Sequence, residues 1–115
     1  MSTPSLTKDA DALICAIYKI YLQRRKSGTS KGQAKALGGA AQVQAEIVPK
    51  WPLPDVEDTL LELDCVGLLS CFRADDTVYD ATLSDTGIIY MENRFKNGLK
   101  EVLDYLEQIK SILLW

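Results

Sequence analysis

Residues 9–26, DADALICAIYKIYLQRRK, place apolar side chains around nearly the whole circumference of one helix. Leu13, Ile14, Ile17, Tyr18, Ile20, Tyr21 and Leu22 do not fall on a single stripe, and only Lys19 interrupts the middle. Such a helix is packed on more than one side, by its own chain or by another subunit. Thr7 precedes it as an N-cap, and Asp9 stands in the first turn, where a carboxylate suits the helix dipole. The chain has 115 residues, the length of one domain. It is long enough to bury a core unaided, since that becomes doubtful only below roughly 40 residues.

Glycine and proline punctuate the rest of the chain. SGTSKG breaks the first helix into a flexible loop. It lacks the G-x-x-x-x-G-K-[ST] order of a phosphate loop. The Ala-rich stretch after it predicts a short helix, a break at Gly38 and Gly39, and a second helix from about Ala40 to Val48. PKWPLP is a turn, with Trp51 as a lid on the core and Pro54 as the first residue of the next helix. In that helix Val56, Leu60, Leu63 and Gly67 follow 4-3-4 spacing, widened by Leu61, and Gly67 ends it. Leu69 to Arg73 and Val78 to Leu83 alternate around an Ala-Asp-Asp-Thr turn and read as a β-hairpin. Ser84 caps a further helix, and after Asn97-Gly98 a last helix runs to the C-terminus.

Charge is divided along the chain. Residues 1–50 hold eight Lys/Arg and three Asp/Glu, net +5; residues 51–115 hold five and thirteen, net −8. Such a split marks either a binding surface or mutual neutralisation within one fold. Histidine is absent, and Cys15, Cys65 and Cys71 form no C-x-x-C pair. Zinc sites of Cys/His spacing and imidazole mechanisms are thereby excluded. The cysteines read as reduced, small apolar residues. No nucleophile and base stand together, so neither a catalytic residue nor a cofactor is expected, and the chain reads as no enzyme. No apolar run approaches the ~20 residues that cross a bilayer, and the first eleven residues lack the pattern of a signal peptide. A cytoplasmic protein without membrane contact is expected.

The stretch LLELDCVGLLSCFRADDTVYDATLSDTGIIYMEN, residues 60–93, resembles the part that closes many winged-helix domains. A leucine-rich helix leads through Gly-Leu-Leu into the first wing strand. A polar tip comes next, then Leu-Ser-x-x-Gly-x-x-Tyr-x-Glu, in which Gly87 permits close packing of helix on strand. The likeness covers residues 54–95 and is similar to MarR- and PadR-type regulators and to small prophage winged-helix proteins of the YjcQ type. It implies an α+β, mainly α fold: a winged helix-turn-helix with a two-stranded wing over residues 1–96, and an additional C-terminal helix over residues 97–115. It also implies a bacterial or prophage protein of transcription-regulator type that binds double-stranded DNA as a homodimer.

One departure bears on that function. In the family the helix before the wing contacts bases near its start, and those positions here are Asp55, Glu57, Asp58, Thr59 and Glu62. DNA affinity rests largely on Lys and Arg neutralising phosphates. Like charges 4 Å apart repel by about 1 kcal/mol even in bulk water. Nucleic acid is therefore expected to meet the basic segment instead, through Arg24, Arg25, Lys26, Lys31 and Lys35. The alternative is a winged helix used as a protein-interaction module, with a basic partner on the acidic helix 55–64. For the homodimer, the expected interface is the stripe Leu99, Val102, Leu106, Ile109 and Leu113, at 3-4-3-4 spacing, broadened by Leu103, Ile112, Leu114 and Trp115 and packed on the first helix, residues 8–26, of a second copy. The alternative is that the last helix packs back on its own domain.

Overall fold

The computed structural model describes residues 5–75 and 77–113. Asp76, and Leu114 and Trp115, which the sequence adds to the C-terminal stripe, lie outside the described residues. In chain order the elements are α1 (Lys8–Lys26), α2 (Lys31–Lys35), β1 (Ala36–Gly38), α3 (Ala40–Glu46), α4 (Leu53–Cys65), β2 (Leu69–Ala74), β3 (Thr77–Leu83), α5 (Asp85–Arg94), α6 (Leu99–Gln108) and α7 (Lys110–Leu113). The chain is mainly helical, with one small three-stranded antiparallel sheet.

Thr7 opens α1 by accepting a hydrogen bond from the Ala10 amide at 3.2 Å. Asp9 and Asp11 occupy its first turn and Arg24, Arg25 and Lys26 its last, so both ends complement the dipole. Every residue from Ala12 to Tyr18 is buried. This is the central helix that its apolar circumference requires, and α4 and α6 both pack against it. Val56, Leu60 and Leu63 come to the core from α4, Val102 and Leu106 from α6, and Ile88 and Met91 from α5.

The sheet has the order β1-β3-β2. Leu69 pairs with Leu83, Cys71 with Ala81, Phe72 with Asp80 and Arg73 with Val78. Leu69, Val78, Ala81 and Leu83 are buried on the face toward the helices. Two residues rather than one separate Val78 from Ala81, and the register shifts at that point. This is a β-bulge that puts both Tyr79 and Asp80 on the outer face.

The expected two-stranded wing is corrected by β1. Ala36, Leu37 and Gly38 carry no strand signature and read as the end of a broken Ala-rich helix. Their extended form comes from pairing with Ala81 and Thr82 of β3. The Gly38-Gly39 break has a steric cause as well. Gly38 takes φ 80°, and a Cβ on Gly39 would lie 3.0 Å from the Tyr79 carbonyl oxygen, against the bulge. Gly87 behaves as expected: a Cβ there would sit 2.2 Å from the Leu68 carbonyl oxygen, so only glycine lets α5 start this close to the strand.

The single last helix is also corrected, because it breaks at Ile109 into α6 and α7. Both contact α1. Trp51 is 4% exposed, and its indole N–H donates to the Ile112 carbonyl at 3.0 Å. Gln44 holds the Trp51 carbonyl at 2.7 Å. The lid residue thus fastens the C-terminal segment to the turn before α4. Among the described residues no helix is long and apolar enough to cross a membrane.

Candidate functional site

The five cations of the basic segment have different surroundings. Arg24 reaches across the loop, and its guanidinium donates to the Ala34 carbonyl at 3.3 Å and the Ala36 carbonyl at 2.7 Å. It anchors α2 and β1 to the end of α1. Lys35 and Lys31 converge on one carboxylate oxygen of Asp85, at 2.9 and 3.6 Å. The Lys35 hydrogen bond, with the charge of Lys31 behind it, holds the Asp85 carboxyl below its ordinary value. Asp85 is placed there by Ser84, which accepts from the Gly87 amide at 2.9 Å and donates to the Gly67 carbonyl at 2.6 Å. Arg25 donates to the Thr29 carbonyl at 3.1 Å and is exposed, as is Lys26. Four of the five cations therefore have a partner within the fold, Arg25 and Lys31 while remaining exposed.

The acidic helix divides in the same way. The Glu62 carboxylate accepts from the Thr7 amide at 3.0 Å and the Thr7 hydroxyl at 2.9 Å, tying α4 to the start of α1. Asp64 accepts from the Cys71 amide at 3.3 Å. That contact occupies a donor on the free edge of β2, where an open N–H would invite another strand. Thr59 is buried, and its hydroxyl donates back to the Asp55 carbonyl at 2.7 Å. Glu57 is half-buried, and one of its carboxylate oxygens has no hydrogen-bond partner among the described residues. Asp55 and Asp58, near the start of the helix, stand exposed. The uniform acidic face that the sequence suggests for residues 55–64 is reduced to its first turns.

The stripe expected at a homodimer interface lies against its own chain. Val102 is fully buried and Leu106 nearly so, while Leu99, Ile109 and Leu113 are half-buried. The partner of this stripe is α1 of the same molecule.

Sequence reasoning misses the most elaborate polar cluster. Arg94, in the last turn of α5, forms a two-armed ion pair with Asp11 of α1, its second arm at 3.3 Å. The Tyr105 hydroxyl of α6 donates to the same carboxylate at 2.6 Å. The guanidinium lies over the rings of Phe95 and Tyr105, 5.0 and 4.7 Å from their centroids. Burial alone would raise the Asp11 carboxyl, but the hydrogen bonds from Arg94 and then Tyr105 outweigh it and hold the group below its ordinary value. Burial and the bond to Asp11 push the Tyr105 hydroxyl up. The only signals in the sequence are a second aspartate in the first turn of a helix with an apolar middle and a tyrosine within a leucine stripe.

Chemically reactive groups are few. Burial pushes the Cys15 thiol up to about 12. Burial, then the charges of Asp64 and Asp80, pushes Cys71 up to about 11. Neither is poised as a thiolate nucleophile. Among the described residues no three Cys, Asp or Glu side chains gather as metal ligands would. Asn97, Lys100, Glu101 and Asp104 line a shallow, open depression on α6. What the surface offers is charge and exposed aromatic rings: Phe72 is 65% and Tyr79 53% exposed on the outer face of the hairpin. Comparison with protein-family models, with curated proteins and with solved structures gives no match.

Proposed function

We propose that the chain is a winged-helix domain used as a protein-interaction module, meeting a partner whose surface is basic. The winged-helix reading is supported by the order α3, α4, β2, β3, two short helices followed at once by a hairpin, with α1 behind them as the central support. The start of α4 and the hairpin, where a DNA reader of this type would carry cations, present Asp55, Asp58, Asp75 and Asp80 as exposed carboxylates.

The observation that carries the proposal is the fate of the basic segment. Arg24 is held by two backbone carbonyls, and Lys31 and Lys35 share Asp85. The fold therefore already uses most of the charge that would compensate for the acidic helix on a duplex. Paired DNA half-sites would also need a dimer interface other than the stripe from Leu99 to Leu113, since its central residues belong to the chain's own core.

A second reading, nucleic-acid binding by a protein of transcription-regulator type, is favoured by one feature. Arg25 and Lys26 lie exposed and adjacent at the end of α1, with the Lys31 side chain 55% exposed nearby in the chain. Two or three phosphate contacts there would give a salt slope of roughly −2 to −3 in log K against log salt. Titration of labelled duplexes of mixed sequence at low salt separates the two readings. No association is the expected result. Binding that shows such a slope and disappears when Arg25 and Lys26 are changed to Ala would overturn the interaction-module reading.

A further inference from the structure

We infer that the outer face of the β2–β3 hairpin is a docking site for an arginine-bearing basic segment of a partner protein. This deepens the interaction-module reading and rests on it. Phe72 faces Asp80 directly across the ladder, and the bulge turns Tyr79 to the same side. Directly opposed residues on one face of an antiparallel pair sit close enough for their side chains to act together. Single exposed apolar residues are ordinary on a protein surface, but here two large exposed rings flank one exposed carboxylate. Asp75, exposed in the hairpin turn at φ 52°, adds negative charge at the same end.

No cation balances this group among the described residues, where every ion pair involves Asp11, Asp85 or Glu107. Arg73, the neighbour in sequence, is itself exposed and sits opposite Val78 beyond the register shift, and it forms no ion pair among the described residues.

The same molecule shows what such a constellation accepts. Around Asp11, two rings and a carboxylate enclose a guanidinium, with Arg94 over both ring faces and its fork on the carboxylate oxygens. The hairpin carries the ring and carboxylate components of that cluster without the cation. Arginine suits it better than lysine, because a planar guanidinium stacks on a ring while pairing with a carboxylate, whereas an ammonium is a strongly hydrated point charge. Phosphate-bearing ligands do not fit, since Asp75 and Asp80 would repel them.

The test is fluorescence anisotropy of the full chain with two labelled peptides, an arginine–glycine repeat and its lysine–glycine counterpart. The arginine peptide should bind more tightly. Phe72→Ala and Tyr79→Ala should each weaken it about two- to fivefold, the range of an exposed cation–π contact. Asp80→Asn should weaken it too, and by more than the double variant Asp55→Asn, Asp58→Asn on α4, while Glu92→Gln, at an exposed carboxylate of α5, should leave it unchanged. Thermal melts check that the variants are folded, as exposed positions predict. Equal binding of the two peptides with no effect of the hairpin variants would overturn the inference, as would no binding of either. Arginine-peptide binding lost in the α4 double variant and kept in the hairpin variants would refute this site while leaving the interaction-module reading intact. Failure of that reading itself would appear separately, in the duplex titration.

Discussion

Two parts of this molecule use the same chemical components in opposite ways. Around Asp11 a carboxylate, a guanidinium and two aromatic rings close on one another and join α1, α5 and α6. On the hairpin, Phe72, Tyr79 and Asp80 present a carboxylate and two rings outward, with no cation between them among the described residues. The difference is one of topology. Residues 83 and 94 positions from Asp11 in sequence fold back over α1 to complete the first cluster, whereas nothing among the described residues folds over the outer face of the sheet. A group completed within the chain contributes to stability, and one left open is available for binding. Substitutions in the two places should therefore separate into those that unfold the protein and those that do not.

The largest effect should come from Arg94→Met. It leaves the Asp11 carboxylate half-buried without its cation. Breaking a buried pair by removing one partner costs about 3–5 kcal/mol. These side chains retain 26% and 22% exposure, so a loss of roughly 2–4 kcal/mol in urea unfolding is expected. A loss below about 1 kcal/mol would place the cluster among surface ion pairs and remove the contrast with the hairpin.

Acid should reach the same cluster more gently, by removing charge without removing atoms. The Asp11 carboxyl is held below its ordinary value in the folded state. Its contribution is thus fully present above the ordinary carboxylate range and is lost as pH falls through the lowered folded value. The thermal midpoint of the wild type should decline below about pH 4, near the reference aspartate value. Asp11→Asn should start lower at neutral pH and decline less steeply. Asp85 contributes with the same sign, but it is exposed, so its part should shrink in high salt while that of Asp11 persists. Identical acid profiles for the wild type and Asp11→Asn would show that the cluster does not couple to folding.

Tyr105→Phe makes a finer cut. The ring remains under Arg94 and only the hydroxyl that donates to Asp11 at 2.6 Å is lost. A net cost of about 0.5–1.5 kcal/mol is expected in the same urea experiment. A cost matching that of Arg94→Met would mean that the hydroxyl, rather than the cation, holds the helices together.

How much of this was legible in the sequence depends on the distance over which each feature is set. Thr7 and Ser84 as caps, Gly67 as a terminator, the hairpin and the tight packing at Gly87 are local signals, and each could be read directly. The third strand could not, because Ala36 to Gly38 become extended only through a partner more than forty residues away. The break at Ile109 has no glycine or proline to announce it. Counting charges located the basic segment and the acidic helix, but not their engagement. Arg24 finds carbonyls that α2 and β1 expose, Lys35 finds Asp85, and Glu62 finds Thr7, all contacts that exist only once the chain has folded. The Asp11 cluster joins three helices and was invisible for the same reason.

The smallest expected effect on stability lies on the other side of the comparison. Phe72→Ser and Asp80→Asn alter exposed side chains on the outer sheet face, away from Leu69, Val78, Ala81 and Leu83, which form the buried one. Surface substitutions away from caps, pairs and the core usually change stability by no more than about 0.5 kcal/mol. Phe72→Ser carries a slight additional expectation, since serine is a poorer strand former than phenylalanine on a pleated surface. Each variant should therefore unfold within about 0.5 kcal/mol of the wild type in urea, with an unchanged denaturant slope. A larger loss from Asp80→Asn would mean that its carboxylate already has a partner within the fold. The hairpin face would then be a completed cluster like that of Asp11, with nothing left open for an arginine from outside.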